Sequence, residues 1–136
     1  MDQASTGLRY QLYVGVDIAA ASFDASWLQP AGRPTSAQTY PQTSAGFATF
    51  QQQLQATGVA PEVTLVVLEA TGSYWAALAV SLHQAGYAVA LVNPAQVHNY
   101  AKSLPRRSKT DALDAQLLAQ FAAERQPGTW TPPPPV

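Results

Sequence analysis

The chain has 136 residues, a formal net charge of −1, 47% hydrophobic residues, 11% charged residues and no cysteine. That length carries one domain with a real core, and the composition belongs to a folded domain rather than a disordered chain. Without cysteine there is no disulfide framework, thiolate nucleophile or cysteine-type zinc site, and the near-neutral balance argues against a generally basic nucleic-acid binder.

Residues 1–10, "MDQASTGLRY", read as a flexible polar tail with no apolar signal segment. No apolar run approaches the roughly 20 residues a membrane helix needs, so the expectation is a cytoplasmic protein without a membrane partner. Residues 11–126 read as one folded domain. Leu12, Val14, Val16 and Ile18 alternate with other residues, which is strand periodicity. Ser22 to Leu28 reads as a second strand, "PAGRP" as a turn, and Thr35 to Pro41 as a third strand closing an antiparallel meander.

Ser44 opens a helix with Phe47, Phe50 and Leu54 at helical spacing, and Gly58 ends it. "VTLVVLEA" is the apolar run of a strand buried on both faces, ending in Glu69. A helix follows, with Tyr74, Leu78 and Leu82 on one face and Gly86 at its end. "YAVALVNP" is a second buried strand, and a short helix runs around Ala95 to Ala101. The last helix is expected over "SKTDALDAQLLAQF" and onward to Arg125. Residues 127–136 then read as a proline-rich linker toward a further domain, in which Trp130 docks on this domain or on a partner. The order β-β-β-α-β-α-β-α predicts an α/β fold, a mixed sheet flanked by helices as in ribonuclease-H-like domains. Actin-like ATPase domains share much of that order.

Four of the eight acidic residues occupy positions where structure alone does not ask for a charge. Asp17 interrupts the first strand, where aspartate is depleted. Glu69 ends the most apolar strand. At about 100° per residue, Gln116, Gln120 and Glu124 form a polar ridge, and Asp111 and Asp114 fall on the opposite, apolar side. Crowded carboxylates raise one another's pKa unless a cation neutralises them. Hard oxygen ligands favour Mg²⁺ or Mn²⁺, and two such ions about 4 Å apart serve phosphodiester chemistry. The plainer readings stay open: Ser108 and Asp111 have capping-box spacing, and Glu69 also fits a solvated strand end. Asp24 and Glu62 read as ordinary surface charges.

Lys102, Arg106, Arg107 and Lys109 are four of the seven basic residues and fall within eight positions. They read either as a solvated loop or as contacts to a phosphate backbone. His98 and Tyr100 stand close to this patch, at hydrogen-bonding or stacking reach. His83 reads as a surface residue, Trp27 and Trp75 as core edge.

"VGVDIAAASFD", "LEATGSYWAALAVSLHQAGYAVALVNPAQVHNYAKS" and "RRSKTDALDAQLLAQF" closely resemble the amino-terminal domain of the DEDD-type transposases named for insertion sequence 110. The resemblance implies a catalytic domain similar to Holliday-junction resolvases, with Asp17, Glu69, Asp111 and Asp114 as its acidic quartet. It further implies a Mg²⁺-dependent DNA recombinase that cleaves and rejoins strands, guided by a structured RNA and homo-oligomeric in full-length form. Family members continue into a second domain bearing a serine nucleophile, so no serine here inherits that role, and the ending "TPPPPV" is expected to be a truncation. Two other classes compete. One is a non-catalytic nucleic-acid-binding or assembly scaffold, in which the basic patch matters and the carboxylates do not. The other is an actin-like nucleotide binder, disfavoured because "DIAAAS" lacks the glycines that let backbone amides approach phosphates.

Overall fold

A hairpin begins the fold. In the computed structural model, which describes residues 10–105 and 114–134, β1 (Leu12–Ile18) turns through Ala19–Ala21 into β2 (Ser22–Leu28), and the two pair antiparallel. The short β3 (Gln38–Pro41) pairs antiparallel with β2. Helix α1 (Ser44–Ala56) follows, its first turn capped by the Thr43 side chain accepting from the Gly46 amide. A single 3-10 turn (Pro61–Val63) leads into β4 (Thr64–Glu69), then come α2 (Ala76–Gln84) and β5 (Ala88–Val92). Helix α3 (Pro94–Lys102) starts with a capping box between Asn93 and Gln96 and a proline in its first turn, and α4 (Ala115–Arg125) is the last helix described.

The five strands lie in the order β3-β2-β1-β4-β5, with β1, β4 and β5 mutually parallel. Crossovers between parallel strands need helices, and these cover both faces of the sheet. This is the mixed α/β architecture expected from the sequence, compatible with a ribonuclease-H-like fold. No described helix is long and apolar enough to cross a membrane.

Strand alternation divides the core in two. Leu12, Val14, Val16, Phe23, Ala25, Val66, Leu68 and Val89 pack on one face with Phe50 and Leu54 of α1 and Leu78, Ala79 and Leu82 of α2. Tyr13, Leu28, Leu65, Val67, Ala90 and Val92 point the other way, toward Val97 and Tyr100 of α3 and Leu117, Leu118, Phe121 and Ala122 of α4. On that second face Gly15 has a specific task. A Cβ added there would stand 2.2 Å from the Ala119 nitrogen and 2.3 Å from the Ala115 oxygen. Only a residue without a side chain lets the backbone of α4 lie this close on the central strand.

Three expectations need correction. The last helix begins at Ala115, and the part expected to start it, up to Leu113, lies outside the described residues. Asp114 is therefore the exposed cap of α4 and not a carboxylate turned toward the core; its Oδ1 accepts from the Leu117 amide at 2.9 Å. The polar ridge itself is as expected, with Gln116 and Glu124 exposed and Gln120 half-buried. Tyr74 precedes α2 in a turn and is 55% exposed, so it does not share the buried face of Leu78 and Leu82. The third strand begins at Gln38, three residues later than Thr35, because Thr35 bonds to β2 one residue out of the register that pairs Gln38 with Ala25: its amide donates to the Trp27 carbonyl at 2.8 Å.

Beyond α4, Gln126 adopts a left-handed conformation (φ 42°) that stops the helix, and Trp130 returns to the sheet edge. The Trp130 amide donates to the Val89 carbonyl at 2.6 Å, and its ring packs edge-on against Trp75, centroids 5.8 Å apart. The half-buried His83 lies at 6.2 Å from the same ring. Trp130 thus covers part of the free edge of β5.

Candidate active site

Three strand carboxylates, Asp17, Asp24 and Glu69, share the α4 side of the sheet. Asp17 follows Gly15 by two residues and so shares its face. Glu69 follows Val67 in the same way, and the parallel register Gly15↔Val67, Val16↔Leu68 carries Asp17 and Glu69 side by side at the ends of β1 and β4. Across the hairpin, Asp24 is the register partner of Asp17. The N-terminus of α4 arrives over the same region because it rests on Gly15, which brings Asp114 in as its cap.

This placement has an electrostatic consequence. Burial pushes the Asp17 carboxyl above its usual value of 3.8, and the nearby carboxylates of Asp24, Glu69 and Asp114 push it further the same way. Proximity to other acidic groups is costly unless something offsets it. Thr39 donates to Asp24 Oδ1 at 2.6 Å, and Thr71 donates to Glu69 Oε1 at 3.2 Å. Glu69 Oε2 is buried without a hydrogen-bond partner, an arrangement that ordinarily asks for an explanation.

The donor set is all oxygen, and an orphaned buried carboxylate oxygen within it suits a hard divalent cation. Among the described residues, however, no three acidic or histidine side chains are gathered tightly enough to hold an ion by themselves. Asp111, the remaining member of the expected quartet, lies outside those residues, as do Arg106, Arg107 and Lys109. Lys102 is exposed in the last turn of α3.

Asp24 escaped the sequence reading. The available signal was the hairpin itself: a three-residue connection through Ala19–Ala21 sets two strands in a register that pairs Asp24 with Asp17. Tyr100 is also placed differently from expectation. It is 2% exposed, edge-on to Phe121 and beneath the Arg125 guanidinium at 5.3 Å, and burial pushes its phenol up to about 12. It is core and not a stacking surface, whereas His98 is exposed.

A groove of about 450 Å³ opens beside Asp114, lined by Arg33, Pro34, Gln116, Leu117 and Gln120.

Comparison with known proteins identifies the family of the chain. Residues 14–135 match the transposase family of the DEDD type named for insertion sequence 110. Over 120 residues the chain is 38% identical to the pilin gene-inverting protein of Moraxella bovis, and 37% identical to the protein of the same name from Moraxella lacunata. Each match takes in 88% of this chain and 37% of the relative, so the chain spans little more than a third of the length of these curated relatives. The chain belongs to the DEDD-type transposase family named for insertion sequence 110.

Proposed function

We propose that this chain is the metal-dependent catalytic domain of a DNA recombinase that cleaves and rejoins DNA strands. What supports the reading is the placement of Asp17 and Glu69 side by side at two strand ends, with the helix cap Asp114 near enough to act on the Asp17 carboxyl. Names of the relatives, which invert a pilin gene, support a recombination reaction.

Asp17, Glu69, Asp111 and Asp114 would hold Mg²⁺ or Mn²⁺. When bound there, such an ion activates an attacking oxygen and stabilises a leaving one. The protein's own contribution is rigidity. Asp17 and Glu69 are fixed by the central sheet, and Asp114 is held by its bond to the Leu117 amide through Oδ1, which leaves Oδ2 for a ligand. The buried Glu69 Oε2 is turned away from water before any ligand arrives. Lys102, Arg106, Arg107 and Lys109 would draw in the DNA backbone, and magnesium's habit of keeping waters and leaning on phosphates fits a site that is completed by DNA. Residues 127–136 would link to a further domain that supplies a serine nucleophile, within a homo-oligomer guided by a structured RNA.

The test is recombination by the longer protein, read as formation of the recombinant DNA junction in cells. Asp17→Asn and Glu69→Gln are expected to abolish the junction, while Gly128→Ala, whose added Cβ meets nothing within 4 Å, retains it. Normal junction formation by either carboxylate variant would overturn the assignment.

A further inference from the structure

The loop joining β2 to β3 is braced more firmly than an exposed connection requires. The carbonyl of Thr35 accepts from the buried Ser26 Oγ at 2.7 Å and from Gln116 Nε2 at 2.9 Å. The Thr35 hydroxyl accepts from the Trp27 amide at 3.1 Å, and the Thr35 amide donates to the Trp27 carbonyl at 2.8 Å. An earlier turn in the loop closes through Gly32, whose amide donates to the Gln29 carbonyl at 2.8 Å. Between these two anchors stands Arg33, exposed, on the wall of the groove that Asp114 also lines. No carboxylate among the described residues forms an ion pair with it.

We propose that Arg33 is a DNA-backbone contact that leads the strand along the α4 ridge toward the carboxylates. The inference rests on the recombinase reading above and adds a residue outside the basic patch of Lys102 to Lys109. A guanidinium offers a planar fork of donors that matches a phosphate. Gln116 and Gln120 line the same groove, and amides of this kind are common phosphate partners. Gln116 serves doubly, because its bond to Thr35 ties the loop to the helix that carries Asp114. The ligand is DNA because the groove is lined by a member of the carboxylate set proposed for cleavage, where the strand to be cut has to arrive.

The test is fluorescence anisotropy of a labelled random-sequence DNA duplex, titrated with this chain over a range of NaCl concentrations in EDTA. Affinity scales with salt to the power of about −0.9 per phosphate contact, so at ~0.1 M salt Arg33→Gln should lose about eightfold, and its salt slope should flatten by ~0.9. Arg33→Lys should keep the slope. Thermal unfolding of each variant serves as the folding control. An unchanged affinity and slope in Arg33→Gln overturns the proposal, as does absence of duplex binding by the wild type. An effect confined to an RNA probe of the same sequence also overturns it. Metal stabilisation measured without DNA reports separately on the carboxylates, so failure of that reading is distinguishable from failure of this one.

Discussion

Replacing Gly15 by alanine tests the packing on which the site depends. The new methyl group would meet Ala119 N at 2.2 Å, Ala115 O at 2.3 Å and Leu118 C at 2.6 Å, all of them backbone atoms of α4. Carbon needs about 3.5 Å from such neighbours, so the helix has to lift by roughly 1 Å along its first two turns. No side chain can rotate away to absorb the clash. Overpacking a tight core costs about 1–3 kcal/mol, and contact with backbone places this case at or above the upper end, at ~3 kcal/mol. For a domain of this size that is a fall in Tm on the order of 10 °C. Urea and thermal unfolding of Gly15→Ala beside Gly128→Ala provide the measurement. Because α4 also carries Asp114, lifting it should weaken the response to Mn²⁺ as well. Stability within about 0.5 kcal/mol of wild type, the usual range for a neutral surface change, would refute the close packing of α4 on β1.

Other variants probe the site and its surroundings. In the metal-free protein, a raised Asp17 carboxyl binds its proton more tightly when folded than when unfolded. Its contribution to stability is therefore full below the ordinary value of 3.8 and is lost as pH rises through the raised folded value. Urea midpoints of wild type should fall with pH across that interval relative to Asp17→Asn; parallel curves would refute the crowding. Asp114→Ala should cost about 1 kcal/mol through the lost cap, whereas Asp114→Asn keeps the cap and should lose only the metal response. Equal unfolding midpoints for the two Asp114 variants would remove the capping role. Trp130→Ala should cost about 2 kcal/mol, half the usual penalty for a fully buried aromatic because this ring is half-buried. It should also speed tryptic cleavage after Arg125; no change in either would show that the 127–134 segment does not rest on the sheet edge.

Much of this was legible in the chain because the signals are local. Alternation through Leu12, Val14 and Val16 marked β1, and the run from Val63 to Leu68 marked β4, with Asp17 inside the first and Glu69 at the end of the second standing out as charges. The start of α4 was misread because Asp114 has the same capping chemistry as Ser108, which lies outside the described residues, and α4 takes Asp114 as its cap. A cap that bonds an amide and a carboxylate that waits for a metal look alike in a sequence, and Asp114 is suited to both. The pairing of Asp24 with Asp17, the approach of α4 to Gly15 and the docking of Trp130 on Val89 are nonlocal. They depend on hairpin register, helix placement and a free sheet edge, none of which has a signature in neighbouring residues.

The central claim is that these carboxylates form a metal site, and Mn²⁺-dependent thermal unfolding of wild type and Asp17→Asn tests it most directly. Binding to the native state alone should stabilise wild type by about 2.7 kcal/mol when the metal stands at 100 times its Kd, with no such gain in Asp17→Asn. The same gain in both proteins, or none in either, would contradict the account.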